Sequence, residues 1–182
     1  METVKKEYER QEQTAHNTKK MIIIGKTNTG KSTSARSYAE LSEKTVFYLC
    51  GIPMSFHNYE DFYMFNGHNY EIRDNSAPFS VKEGQKYFIY PKVNYEYIFK
   101  NAAECIGYGI GDLNADLKTL LLIYDDGAWR HQENKLVAFW NLSHSENDII
   151  ITLQDETELF DGELTPEVKK DIQKNWEIIY LT

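Results

Sequence analysis

Residues 21–32 read Met-Ile-Ile-Ile-Gly-Lys-Thr-Asn-Thr-Gly-Lys-Ser. A short β-branched run closed by glycine is the pattern of a parallel strand buried on both faces. Gly25 to Ser32 then match G-x-x-x-x-G-K-[ST] in full, and the residues that follow suit a helix from about Lys31 to Glu43. That order, strand then glycine loop then helix, is what a phosphate-binding loop needs. The glycines let successive N–H groups point inward, and the helix adds its positive N-terminal dipole. Gly25, Lys26, Thr27, Asn28, Thr29, Gly30, Lys31, Ser32 and Thr33 are the expected nucleotide-binding residues. Lys31 is expected to bridge the β- and γ-phosphates and Ser32 to ligate Mg²⁺, so the cofactors implied are ATP and Mg²⁺.

Working outward, residues 1–20 are almost wholly polar, without an apolar stripe, and read as an N-terminal extension; residues 21–182 read as one domain. Thr45 to Cys50 (TVFYLC), Thr119 to Tyr124 (TLLLIY) and Asp148 to Leu153 (DIIITL) are further strands of the buried type, and Trp176 to Leu181 is a last one. Helices are expected at Asn134 to Leu142 and Glu167 to Lys174. Residues 51–85 lose clear periodicity. Tyr70 to Arg73 and Tyr87 to Tyr90 are short strand candidates, and Tyr95 to Cys105 is a helix candidate ending at the glycine-rich IGYGIGD segment. Strands alternating with helices predict an α/β fold: a mainly parallel sheet in three layers with helices on both faces.

Two more strand ends carry polar groups suited to the same chemistry. Asp125 and Asp126 close the TLLLIY strand, where a carboxylate beside the loop can hold the Mg²⁺ shell and the next one can polarise a water. Asp125 is the expected metal residue and Asp126 the expected catalytic one, with a plain Asp126-Gly127 turn as the alternative. Gln154 closes the DIIITL strand, and its neutral amide can sense a γ-phosphate or orient water. The arginines are Arg10, Arg36, Arg73 and Arg130. Arg130 is the preferred arginine finger, reaching a neighbouring subunit, and Arg73 the second; a surface ion pair is the alternative for either. His57 and His68 flank Glu60 and Asp61 without a zinc-like spacing, so a metal site there is discounted. The tyrosines of residues 87–97 suit base stacking or, more simply, core.

The chain's 182 residues carry a net charge of −8, with 41% hydrophobic and 14% aromatic residues. That balance fits a packed globule and argues against a surface coated for nucleic acid, while leaving room for a local basic pore. The two cysteines, Cys50 and Cys105, fit structural thiols in a reducing compartment. No apolar run approaches the roughly 20 residues needed to cross a bilayer.

The series GKTNTGKS, LLLIYDD, LSHSENDIIITLQ and LTPEVKKDIQKNWEIIYL resembles the FtsK/HerA branch of additional-strand, RecA-like P-loop NTPases. It is most similar to the small genome-packaging ATPases of membrane-containing and poxvirus-type viruses. The resemblance covers roughly residues 21–36 and 119–182. It departs in having Asp-Asp where that branch usually has Asp-Glu, and Lys169, Lys170 and Lys174 where an arginine is often found. The resemblance implies an ATP-hydrolysing motor that forms a homo-oligomeric ring and drives double-stranded DNA into a capsid through a portal-vertex protein. The expected place is the host-cell cytoplasm or the virion. In such a site Lys31, Asp126, Gln154 and an arginine would be catalytic. A nucleotide or nucleoside kinase and a non-enzymatic ATP-binding assembly module are the competing readings. A GTPase is disfavoured by the lack of a guanine-reading Asn/Thr-Lys-x-Asp segment after Asp125.

Overall fold

The structure, a computed structural model, describes residues 18–51, 70–74, 81–90, 120–132 and 134–182. Its strands are β1 (Lys20–Ile24), β2 (Thr45–Cys50), β3 (Tyr70–Asp74), β4 (Lys86–Tyr90), β5 (Leu120–Asp125), β6 (Asp148–Leu153) and β7 (Glu177–Tyr180). They form one seven-stranded sheet in the order β3-β4-β2-β5-β6-β1-β7. Every neighbouring pair is parallel. The helices are α1 (Lys31–Leu41), α2 (Lys135–Ser143) and α3 (Pro166–Gln173). Parallel strands need crossovers that put helices on the sheet faces, so such a sheet must be covered on both sides.

The side-chain period of two divides each strand between those sides. Met21, Ile23, Val46, Tyr48, Leu121, Ile123 and Ile150 face one side, where Ala35 and Ala39 let α1 approach closely. Ile22, Ile24, Phe47, Leu49, Leu122, Tyr124, Ile149 and Ile151 face the other, with Phe139 of α2, Ile172 of α3, Trp129 and Trp176. There the rings of Phe139 and Trp176 stack 4.6 Å apart and Trp129 meets Tyr124 edge-on at 5.5 Å. The result is a three-layer α/β architecture. Both later helices carry their start signals. Asn134 accepts a bond from the Val137 N–H and Thr165 one from the Val168 N–H, with Pro166 in the first turn of α3.

Element positions follow the apolar runs, with small shifts. α1 stops at Leu41 rather than Glu43, and β5 includes Asp125. Lys20, expected in the polar extension, opens β1 and is buried, with Nζ donating to Thr18 Oγ1 and to the carbonyls of Ser145 and Asn147. Tyr87 is core: its ring stacks on Phe47 and its hydroxyl accepts the Lys82 N–H, so base stacking is closed to it. Residues 1–17, His57, Glu60, Asp61, His68, the expected helix at 95–105 with Cys105, and the IGYGIGD segment lie outside the described residues.

Candidate functional site

β6 stands between β1 and β5, so the loop leaving β1, the acidic turn leaving β5 and the tip of β6 lie side by side at the carboxyl edge of the sheet. Ligands in open parallel sheets collect at such an edge. A cleft of about 530 Å³ occupies it, bordered by Thr27 to Thr33, Asp126, Arg130, Gln154 and Glu158 among others.

The loop has the backbone its sequence requires. Asn28 and Gly30 hold positive φ of 65° and 92°, conformations that Asn and Gly adopt at low cost. Gly30 immediately precedes α1, whose first residues are Lys31 and Ser32, so the free N–H groups of the helix start face the cleft beside them. Lys31 folds back across the loop, its ammonium donating to the Lys26 carbonyl at 2.8 Å. The same carbonyl accepts the Thr29 hydroxyl at 2.7 Å, which fastens the loop to itself.

The two aspartates stand in different surroundings. Asp125, the expected metal residue, is buried, and its two carboxylate oxygens accept hydroxyl bonds from Thr152 (2.6 Å) and from Tyr48. The residue that meets the loop is Asp126, whose Oδ1 accepts the Ser32 hydroxyl at 3.3 Å. The reason is the turn. The Ala128 N–H bonds to the Asp125 carbonyl at 3.0 Å, and Asp126 and Gly127 both have positive φ, 48° and 83°. An Asp-Gly pair in a type I′ turn has this pattern. The turn sets the contact: the left-handed step at Asp126 brings its carboxylate to Ser32.

Asp126 is open to the cleft, yet the walls still withhold water from it. That desolvation first, then the adjacent Asp125 charge, push its carboxyl up to about 6, against the pull of the Ser32 hydroxyl, the Cys50 thiol and Lys31. Two oxygens bound side by side to one octahedral Mg²⁺ at about 2.0–2.1 Å stand roughly 3 Å apart, close to the Ser32–Asp126 separation. The pair fits the metal. Gln154 borders the same cleft, its amide nitrogen 3.4 Å from Thr27 Oγ1 of the loop.

Arg130 lines the cleft of its own chain, where Nη2 lies 3.0 Å from Glu158 Oε1. Arg73 pairs with Glu71 on the edge strand β3, four strands from β6 in the sheet order, and does not border the cleft. Arg10 lies outside the described residues.

Several contributors were not foreseen. Tyr48 and Thr152 were hydroxyls inside apolar runs, a signal that a buried polar partner waits nearby. Glu158 gave no signal within its charged loop. Gly51 did not stand out either: a Cβ there would lie 2.5 Å from both Ala128 N and the Asp126 carbonyl oxygen, so only glycine lets β2 end beneath the acidic turn. Arg36, one turn along α1, also borders the cleft, with Nε donating to the Ser32 carbonyl. Among the described residues no cluster of three His, Cys, Asp or Glu could hold a metal by itself, and no helix is long and apolar enough to cross a membrane. Neither a family model, nor a curated protein, nor a solved structure matches this chain.

Proposed function

We propose that the protein is a Mg²⁺-dependent P-loop ATPase of the additional-strand, RecA/FtsK-HerA-like type. The observation that carries this reading is the convergence of Lys31, Ser32, Asp126 and Gln154 on one cleft at the carboxyl ends of β1, β5 and β6. The sheet order supports it, because β6 is inserted between the loop strand and the acidic strand.

The loop N–H groups and Lys31 would bind the phosphates. Ser32 and Asp126 would hold Mg²⁺, which supplies charge neutralisation at the phosphate oxygens. A carboxylate committed to a metal is a poor base, so positioning of water passes to Gln154, whose amide orients without taking a proton. Asp125 fixes the end of β5 through Tyr48 and Thr152.

The finer reading, a ring-forming motor that moves double-stranded DNA into a capsid, rests on the resemblance of the four sequence segments. Phosphate release from Mg·ATP, measured with and without duplex DNA across a range of protein concentration, tests both levels. Release that Lys31→Ala abolishes and that rises with DNA and with concentration is the expected result. Release insensitive to both would overturn the motor; transfer of phosphate to a nucleoside or nucleotide would replace it with a kinase; no release at all would overturn the ATPase.

A further inference from the structure

Glu158 places a carboxylate in the wall of a cleft built to receive a polyanion, a position that opposes phosphate binding unless the acid has another task. Its two oxygens point to one. Oε1 takes the Arg130 guanidinium at 3.0 Å, and Oε2 takes the backbone N–H of Gln154 at 2.9 Å. Gln154 in turn reaches Thr27 of the loop, and the Arg130 N–H bonds to the Gly127 carbonyl at 3.1 Å, within the turn that carries Asp126. Glu158 thus joins the tip of β6 to the acidic turn, and does so by occupying the one arginine of that turn.

We propose that Arg130 reads the γ-phosphate of the nucleotide bound in its own chain, and that Glu158 is the positioning residue that parks it until a triphosphate arrives. The proposal rests on the ATPase reading of this cleft. The Arg130 side chain is about half exposed, with 48% of its surface open, whereas that of Glu158 keeps 20%. The arginine is therefore the partner free to swing. Phosphate is a stronger, fork-matched partner than a single carboxylate oxygen, so exchange from Glu158 to the γ-phosphate is downhill once that phosphate is present. A diphosphate brings nothing to exchange for. Release of Arg130 leaves Glu158 holding only the Gln154 N–H, so the state of the nucleotide is registered at the tip of β6.

The test compares Mg·ATP and Mg·ADP affinity, by calorimetry on the chain at low concentration, in wild type, Arg130→Gln, Glu158→Gln and the double variant. Arg130→Gln should lower the preference for ATP over ADP by about tenfold or more, the scale of a hydrogen bond to a charged group, with ADP affinity nearly unchanged. Glu158→Gln keeps an acceptor for the Gln154 N–H but loosens the guanidinium, so the preference should rise. In the double variant that rise should vanish. Arg130→Lys, which keeps the charge without the fork, should fall between wild type and Arg130→Gln and guards against misfolding of the Gln variant. An unchanged preference in Arg130→Gln, or a Glu158→Gln gain that persists in the double variant, overturns the proposal while leaving the ATPase standing. Failure of the wild type to bind either nucleotide overturns both.

Discussion

Ser32 and Asp126, 94 positions apart in the chain, meet across the cleft with the serine hydroxyl 3.3 Å from the carboxylate. Ser32 sits on the first turn of α1 and Asp126 in the tight turn after β5. If the pair holds Mg²⁺, Ser32→Ala should weaken Mg²⁺-dependent ATP binding by about tenfold or more while leaving the melting temperature near that of wild type. Asp126→Asn should weaken that binding to a similar degree. Titration of ATP at several Mg²⁺ concentrations separates this from loss of phosphate contacts, which Lys31→Ala should produce at every Mg²⁺ concentration.

The raised carboxyl of Asp126 has a stability consequence in metal-free protein. Its ordinary value is 3.8 and its folded value about 6. Between these the folded state holds more protons than the unfolded one, so this group's contribution to stability falls as pH rises through that window. Asp126→Asn should therefore melt higher than wild type above about pH 6, with the difference shrinking toward pH 4. Thermal melts in EDTA across this range check the sign, and parallel curves for the two proteins would contradict it.

Gly51 is a sharper probe of the acidic turn than either aspartate. A methyl group there meets backbone atoms at 2.5 Å, which cannot move aside as a side chain can. Gly51→Ala should cost about 1–3 kcal/mol in denaturant unfolding, and shift Asp126 away from Ser32. ATP affinity should fall with it, although the substituted residue is not expected to touch nucleotide.

Asp125 gives a test of the supporting hydroxyls. Thr152→Val or Tyr48→Phe removes one donor and leaves a buried carboxylate oxygen unpaired, at about 1–3 kcal/mol each. Because both serve one carboxylate, the double variant should depart from the sum of the singles. Equilibrium unfolding of the four proteins measures that coupling; strict additivity would argue that the two hydroxyls act independently.

The central sheet was legible because strands buried on both faces must be apolar throughout, and Met21–Ile24, Leu120–Tyr124 and Ile149–Leu153 are nearly so. The loop was legible because its chemistry demands contiguous residues. The different surroundings of Asp125 and Asp126 were not. They depend on a positive φ at Asp126, a conformational choice that spacing does not report. Arg130 was recognised as the arginine to watch, but its direction is set by Glu158, 28 residues away in a loop rich in charge. Tyr48 and Thr152 were within reach of inference, since a hydroxyl in a fully buried strand needs a partner.

The position of β6 has one more consequence. Adjacent strands lie about 4.8 Å apart, so a single strand inserted between β1 and β5 sets the loop and the acidic turn roughly 10 Å from each other. β6 acts as a gauge block whose width is fixed by hydrogen bonding to both neighbours. Side-chain substitutions at its tip therefore leave the separation of the loop and the acidic turn in place and change only what lines the gap, so they will be felt as altered fit before they are felt as lost stability.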